Sequence, residues 1–300
     1  MENGYIFIGK GGVGKTTCSA AMALGLAQKG KTLIASLDPA HNLGDVYGVR
    51  LSGTPKKINQ SLYAMEVDID ELARKYIERT VNRIKDMYTY LKVLNLDKYV
   101  ESLKYSPGIE EYSILEALID LFSANYDYVI LDMPPTGLTV KTLTLPYTTL
   151  IWIEKLIRLR KDILSRRMTI ESITGKKCVV IDGKEVEIPV SEEEDPIFRE
   201  LKQKKEKMEF IKNFLTGDKC SFILVTNPEA LSLFEGERAI KTLKNFGINV
   251  SKIIINKFVE HNDVTKKISQ LGSTLKIPLF DREPRGMDEL TKIFQLVEVL

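Results

Sequence analysis

Cysteine is scarce in this 300-residue chain: Cys18, Cys178 and Cys220 lie far apart, and no two form a Cys-x-x-Cys pair. An odd, scattered set excludes a disulfide scaffold, points to a reducing compartment and leaves no cysteine-built zinc site within one chain. An excess of one charge is missing as well. The 43 Lys and Arg against 41 Asp and Glu leave a net +2, so no global basic field argues for a nucleic-acid partner. Long apolar runs are also absent. The longest candidate, 143–157, is broken by Pro146, Glu154 and Lys155 and is too short and too polar to span a bilayer. The amino terminus has no basic region followed by a long apolar stretch, so a secretory signal is not expected. The expectation is a soluble cytoplasmic protein, with contact to a membrane surface still open to it. No repeat or low-complexity segment stands out, and the length suffices for a large core without disulfides or metals.

Short apolar runs alternate with helical patterns, which predicts an α/β fold with a mostly parallel sheet and helices on both faces. The runs are 5–8, 32–37, 62–67, 126–131, 222–226, 253–255 and 276–279. The Ala-rich stretch 15–29 predicts a helix, with Gly30 as its stop. Two stretches interrupt the alternation. One, 70–103, has Ile77, Ile84, Met87, Leu91 and Leu94 at helical spacing; the other, 150–173, is amphipathic with a basic face of Lys155, Arg158, Lys161, Arg166 and Arg167. A hairpin with Asp182-Gly183 in its turn is expected over 178–188. Asp195-Pro196 then opens a further helix as N-cap and first helical residue. The chain therefore reads as one discontinuous nucleotide-type domain over 1–300. Helical insertions at about 70–105 and 147–217 form a client- or partner-binding subdomain, or simply extra core cover.

Gly9-Lys10-Gly11-Gly12-Val13-Gly14-Lys15-Thr16 matches G-x-x-x-x-G-K-[ST] between an apolar strand and a helix. Glycines let backbone N–H groups curl around phosphate oxygens, and the helix beginning at Lys15 points its positive end at the same anion. In such a P-loop, Lys15 neutralises the β- and γ-phosphates, the Thr16 hydroxyl ligates Mg²⁺, and Thr17 is placed to reach the α-phosphate. Lys10 is a second loop lysine, the mark of the deviant Walker A class. There it usually crosses to a partner subunit's nucleotide and acts on transition-state charge as an arginine finger does; otherwise it is a solvated loop lysine.

Further motifs follow the strands: Asp38-Pro39-Ala40-His41-Asn42-Leu43-Gly44-Asp45, Asp132-Met133-Pro134-Pro135-Thr136-Gly137, Thr226-Asn227-Pro228-Glu229, Asn256-Lys257, and Pro278-Leu279 with Arg285-Gly286. In this order they resemble the family of arsenite-pump ATPases and tail-anchored-protein targeting ATPases. The resemblance implies a Mg²⁺-dependent ATPase. Asp38 would align the attacking water, or else simply close an Asx turn before Pro39. Asp132 would be the Walker B carboxylate, so that Thr16, Asp38 and Asp132 serve the Mg²⁺, the carboxylates through water. Asn42 and Asp45 belong to the first switch loop, Gly137 is the second switch's hinge, Asn256 contacts the adenine, and the segment from Pro278 to Arg285 covers the base.

The sequence also departs from that family. The eukaryotic targeting ATPases clamp two subunits with a zinc-binding Cys-x-x-Cys after the sixth strand; 258–275 has no cysteine here, so no zinc is expected. Leu138 stands where the family has histidine, which removes one arsenite-coordinating position. Soft As(III) wants two or three converging thiolates, and nothing in the spacing brings three together. Three functions are weighed. The first is a nucleotide-dependent homodimeric chaperone that takes a hydrophobic transmembrane segment to a membrane, where a receptor could receive it. The second is an arsenite or antimonite efflux ATPase subunit. The third is a regulatory or partitioning switch that binds a partner protein.

Overall fold

The computed structural model describes residues 3–40, 42–87, 107–175, 178–181, 184–187, 189–260, 262–282 and 284–297. The chain divides into two compact units, one of Met1–Leu72, Glu110–Thr144 and Phe214–Leu300, the other of Ala73–Ile109 and Leu145–Asn213. In chain order the strands are β1 (Asn3–Ile8), β2 (Thr32–Ser36), β3 (Lys56–Lys57), β4 (Leu62–Glu66), β5 (Tyr128–Asp132), β6 (Cys178–Ile181), β7 (Lys184–Glu187), β8 (Cys220–Thr226), β9 (Val250–Phe258) and β10 (Thr274–Pro278). The helices are α1 (Lys15–Leu26), α2 (Leu43–Tyr47), α3 (Ile69–Met87), α4 (Ile109–Ser123), α5 (Thr136–Thr174), α6 (Pro196–Thr216), α7 (Ala230–Asn245), α8 (Asp263–Ser269) and α9 (Gly286–Val297).

The first unit is built on an eight-stranded sheet in the order β10-β9-β8-β1-β5-β2-β4-β3. Every neighbouring pair is parallel except β3 with β4. The strands are apolar on both faces because both faces are covered, as parallel sheets require. Phe7, Ile34, Ile130, Ile223 and Ile254 pack with α1 and α9 on one side. Ile6, Leu33, Leu131 and Leu224 are equally buried, with Gly236 of α7 against Leu224 on the other side. The architecture is thus the expected doubly wound α/β sheet.

From β1 the chain runs outward to β2 and β4, comes back to β5, and then starts the other half of the sheet at β8. The strand order reverses at β1, and ligands bind outside the carboxyl ends of strands at such a reversal. The register brings the functional residues to that edge: Phe7 and Ser36 both pair with Asp132, and Ile8 pairs with Leu224.

Several local expectations change. α1 ends at Leu26, with Ala27 as its cap. Gly30 is not the left-handed stop; it follows the turn, where a side chain would meet the Asp127 carboxylate at 2.7 Å. β3 is too short to leave a pattern. The helix expected from 150 begins instead at Thr136 and carries Pro146 inside it. Proline costs one backbone hydrogen bond there, and the division between the two units falls beside it, at Thr144 and Leu145.

In the second unit, β6 and β7 form an antiparallel hairpin; its Asp182-Gly183 turn lies outside the described residues, as does the 88–105 part of the first insertion. Asp195 caps α6 as the sequence predicts: its Oδ1 accepts the Phe198 backbone N–H at 2.6 Å. Its Oδ2 takes the Arg160 guanidinium of α5. Asp195 is fully buried, so this charge-assisted pair and the cap together satisfy a carboxylate that would otherwise be costly.

Candidate functional site

The turn between β1 and α1 has a shape that only its own residue types allow. A side chain on Gly9 would meet the Val225 carbonyl of the neighbouring strand at 2.3 Å. Gly14 sits at φ +91°, and a side chain there would strike the Asn256 amide at 2.2 Å. That amide donates from Nδ2 to the Val13 carbonyl at 2.8 Å, tying the end of the phosphate loop to β9. Val13 itself is buried in the core. Gly11 and Gly12, in contrast, stand exposed with open space beside them.

Lys15 is only 4% exposed. Its ammonium donates to the Lys10 carbonyl at 3.3 Å and lies 3.5 Å from Asp38 Oδ2. The other Asp38 oxygen accepts the Ala40 backbone N–H at 3.1 Å. The Asx turn and the charge facing the phosphate loop are therefore two uses of one side chain, not alternatives.

Asp132 lies fully buried at the end of β5. Its Oδ2 accepts the Thr16 hydroxyl at 2.7 Å and the Ser36 hydroxyl at 3.2 Å, whereas Oδ1 has no partner. Burial pushes the carboxyl up to about 6 against the lowering pull of Thr16, Lys15 and Ser36; the Asp38 charge adds to the rise. A buried oxygen without a donor is an unfavourable arrangement by itself. It fits a group that brings positive charge or water to the site. Hydroxyl and carboxylate oxygens are the hard donors that Mg²⁺ takes, usually with several waters kept.

A cavity of about 490 Å³ opens over these groups, a size suited to a bound small molecule. Gly11, Gly12, Gly14, Lys15, Thr16 and Thr17 line its floor, and Asp38, Asn42 and Pro135 one wall. Asn256 and Pro278 line it too, with Lys257, Ile277, Phe280 and Arg282. Gly9 and Asp132 lie beneath, and Lys10, half-buried, is outside the lining. Arg285 is not brought to this cavity. It borders a separate depression with Asp45, Arg50 and Glu66, because the chain has already turned toward α9; Arg282 stands at the cavity in its place. Gly137 falls in the first turn of α5 with nothing near it that demands glycine. Ser36 was missed. Its signal is positional, a hydroxyl at the carboxyl end of a strand whose neighbour ends in aspartate.

The thiols lie apart. Cys18, in α1 just beyond the phosphate loop, borders the cavity but is buried, and burial first, then the Asp132 charge, pushes it up to about 12. Cys220 pairs with Gly4 at the opposite, amino edge of the sheet.

Known proteins resemble this arrangement along most of the chain. A family model described as anion-transporting ATPase matches residues 4–273. The putative arsenical pump-driving ATPase 2 of Aquifex aeolicus is 33% identical over 262 residues, 86% of this chain and 81% of that protein. The ATPase ASNA1 homolog 1 of Paramecium tetraurelia is 31% identical over 327 residues, 98% of this chain and 92% of that protein. The ATPase GET3C of Arabidopsis thaliana is 28% identical over 333 residues, 98% of this chain and 81% of that protein. A phosphate loop at the strand reversal and a match over nearly its whole length lead to one conclusion: the chain belongs to the anion-transporting ATPase family and hydrolyses ATP.

Proposed function

We propose that the protein is a nucleotide-switched homodimer that receives the hydrophobic segment of tail-anchored membrane proteins. The observation that carries this is on α5. Ile153 and Leu164 are buried on one side of the helix, while Trp152, Leu156, Leu159 and Ile170 stand 64%, 44%, 57% and 57% exposed on another. Their spacing keeps them on one stripe. A helix apolar on two sides satisfies its own unit with one and leaves the second for a partner. Among the described residues no helix is long and apolar enough to cross a membrane. The resemblance to tail-anchored-protein targeting ATPases supports an apolar transmembrane helix as that partner, held in a groove by the helix-in-groove mode.

In the hydrolytic step, Lys15 and the backbone N–H groups of the loop hold the β- and γ-phosphates, with Thr17 toward the α-phosphate. Thr16 and Asp132 would hold Mg²⁺, Asp132 through water; the ion supplies charge neutralisation on the phosphates. Asp38 orients the attacking water once the phosphate draws Lys15 away from it. Lys10 reaches the nucleotide of the second subunit. Asn256 and Pro278 meet the base.

The test mixes purified protein, ATP and Mg²⁺ with a tail-anchored client. The expected result is a soluble complex that needs ATP and a mass that doubles with a non-hydrolysable analogue. If no client is ever held in solution, the targeting role is wrong. A single folded partner recovered instead points to a regulatory switch.

A second reading is metalloid efflux, favoured by relatives named as putative arsenical pump-driving ATPases. It requires hydrolysis stimulated by As(III) or Sb(III) and lost in cysteine variants. The separation of Cys18 from Cys220 and the burial of the Cys18 thiol weigh against it.

A further inference from the structure

One side of the cavity is fastened to α9 through a carboxylate, that of Glu289. The segment that follows β10 lines the cavity with Leu279, Phe280, Arg282 and Pro284 before α9 begins at Gly286. Glu289, in the first turn of α9, spends both oxygens on that segment. Oε1 accepts Arg282 Nη2 at 2.5 Å, and Oε2 accepts the Arg285 backbone N–H at 2.8 Å. The Arg285 N–H and then Arg282 hold this carboxyl below the usual carboxylate range, so it is charged at neutral pH.

The support behind it is firm. Leu290, Ile293 and Val297 of α9 are buried, and Phe294 packs over Gly25 of α1. Ile293 also reaches the cavity wall. Since α1 starts in the phosphate loop, Glu289 fastens the 278–285 segment to the same helix pair that carries the phosphate-binding end. Arg282, by contrast, is 83% exposed. Glu289 is its partner among the described residues, and a long side chain in that position otherwise samples many rotamers.

We infer that Glu289 is a positioning residue for the nucleotide: it holds the 278–285 segment and the Arg282 guanidinium as a preformed wall for the base and ribose. A wall already in place spares the ordering cost that binding would otherwise bear. Glu289 is not among the residues that line the cavity over the phosphate loop, so it acts on affinity more than on turnover. The inference rests on the base lying at this end of the cavity, which Asn256→Ala tests separately.

The experiment measures ATP hydrolysis by full-length Glu289→Ala, Glu289→Gln and Asn256→Ala, with tripolyphosphate as a competitor that has neither base nor ribose. In Glu289→Ala the KM for ATP rises about five- to tenfold, as loss of a charge-assisted contact at a partly exposed site gives, and kcat changes less than KM. Tripolyphosphate inhibits parent and Glu289→Ala equally. Glu289→Gln, which can still accept the Arg285 N–H, falls between them. Adding Arg282→Ala to Glu289→Ala costs little more. A KM within twofold of the parent in Glu289→Ala, or weaker inhibition by tripolyphosphate, overturns the inference. An unchanged KM in Asn256→Ala instead removes the base assignment beneath it.

Discussion

At both ends of the phosphate loop the groups have fixed neighbours, whereas along α5 from Trp152 to Ile170 apolar side chains stand in water. Gly9 is pressed against a neighbouring carbonyl, Gly14 against an amide, and Lys15 between a carbonyl and Asp38. Along the exposed stripe the Lys155 ammonium stands 5.3 Å from the Trp152 ring centroid; beyond that the stripe is defined by exposed area and spacing. The difference lies in what each region must recognise. A triphosphate has fixed oxygens at fixed distances, so single atoms decide. A transmembrane helix, the partner proposed for the stripe, offers a surface of varied side chains, so area would decide and single contacts would count for little. Damage should therefore be abrupt in one region and graded in the other.

The sharpest break is expected in the loop. Lys15→Ala and Asp38→Asn should each lower phosphate release from ATP by about 10³-fold, the scale of losing a group that acts on transition-state charge or on the attacking water. Parental turnover in Asp38→Asn removes the role given to that residue. Lys10→Ala follows, with turnover reduced about 10²- to 10³-fold, somewhat below the full worth of an arginine finger. Nucleotide affinity, read by titration with a fluorescent analogue, should shift far less.

Along α5 the response should be graded. Trp152→Asp, Leu156→Asp and Leu159→Asp, made singly and then together, should weaken client capture about tenfold each and more in combination, since on the proposed reading each would bury apolar area on the client. The loss of capture should exceed any loss of hydrolysis. If the triple variant captures clients as the parent does, the stripe is not the client surface.

The smallest effect is on stability. Asp132 ionises at about 6 in the folded chain instead of at its ordinary 3.8. Between those values the folded chain binds the proton more tightly than the unfolded one. Without ligands, stability should fall as pH rises from about 4 through about 6. Asp132→Asn escapes that loss. At pH 8 it should be more stable than the parent by up to about 3 kcal/mol, and at pH 4 about equal to it. Thermal melts at the two values check this; an advantage that does not depend on pH would locate the strain elsewhere.

The legible and illegible parts of the chain divide along similar lines. The phosphate loop and Asp132 could be read because backbone wrapping and a charge at the end of an apolar strand demand particular residue types. Seven apolar runs marked strands because burial on both faces leaves no alternation to misread. What escaped was set by contacts distant in sequence. Ser36 matters only because β2 lies beside β5. Arg285 was assigned to the base, whereas the turn into α9 sets it at a separate depression and leaves Arg282 on the cavity lining. Gly30 looked like a helix stop, but Asp127 across the sheet edge sets its surroundings. The start of α5 at Thr136 was hidden by Pro146, whose lost hydrogen bond the surrounding helix tolerates.

The bond from Asn256 to Val13 joins residues 243 positions apart. β1, which delivers the phosphate loop, lies between β5 and β8, and both are translated much later. The chain thus makes its nucleotide-gripping segment well before the parts that hold it in shape. A nascent chain emerging from the ribosome carries the loop without its braces until β9 has been made. Such long-range closure is slow compared with local helix formation. The ability to grip ATP therefore arrives only once β9 has been made, long after the loop itself.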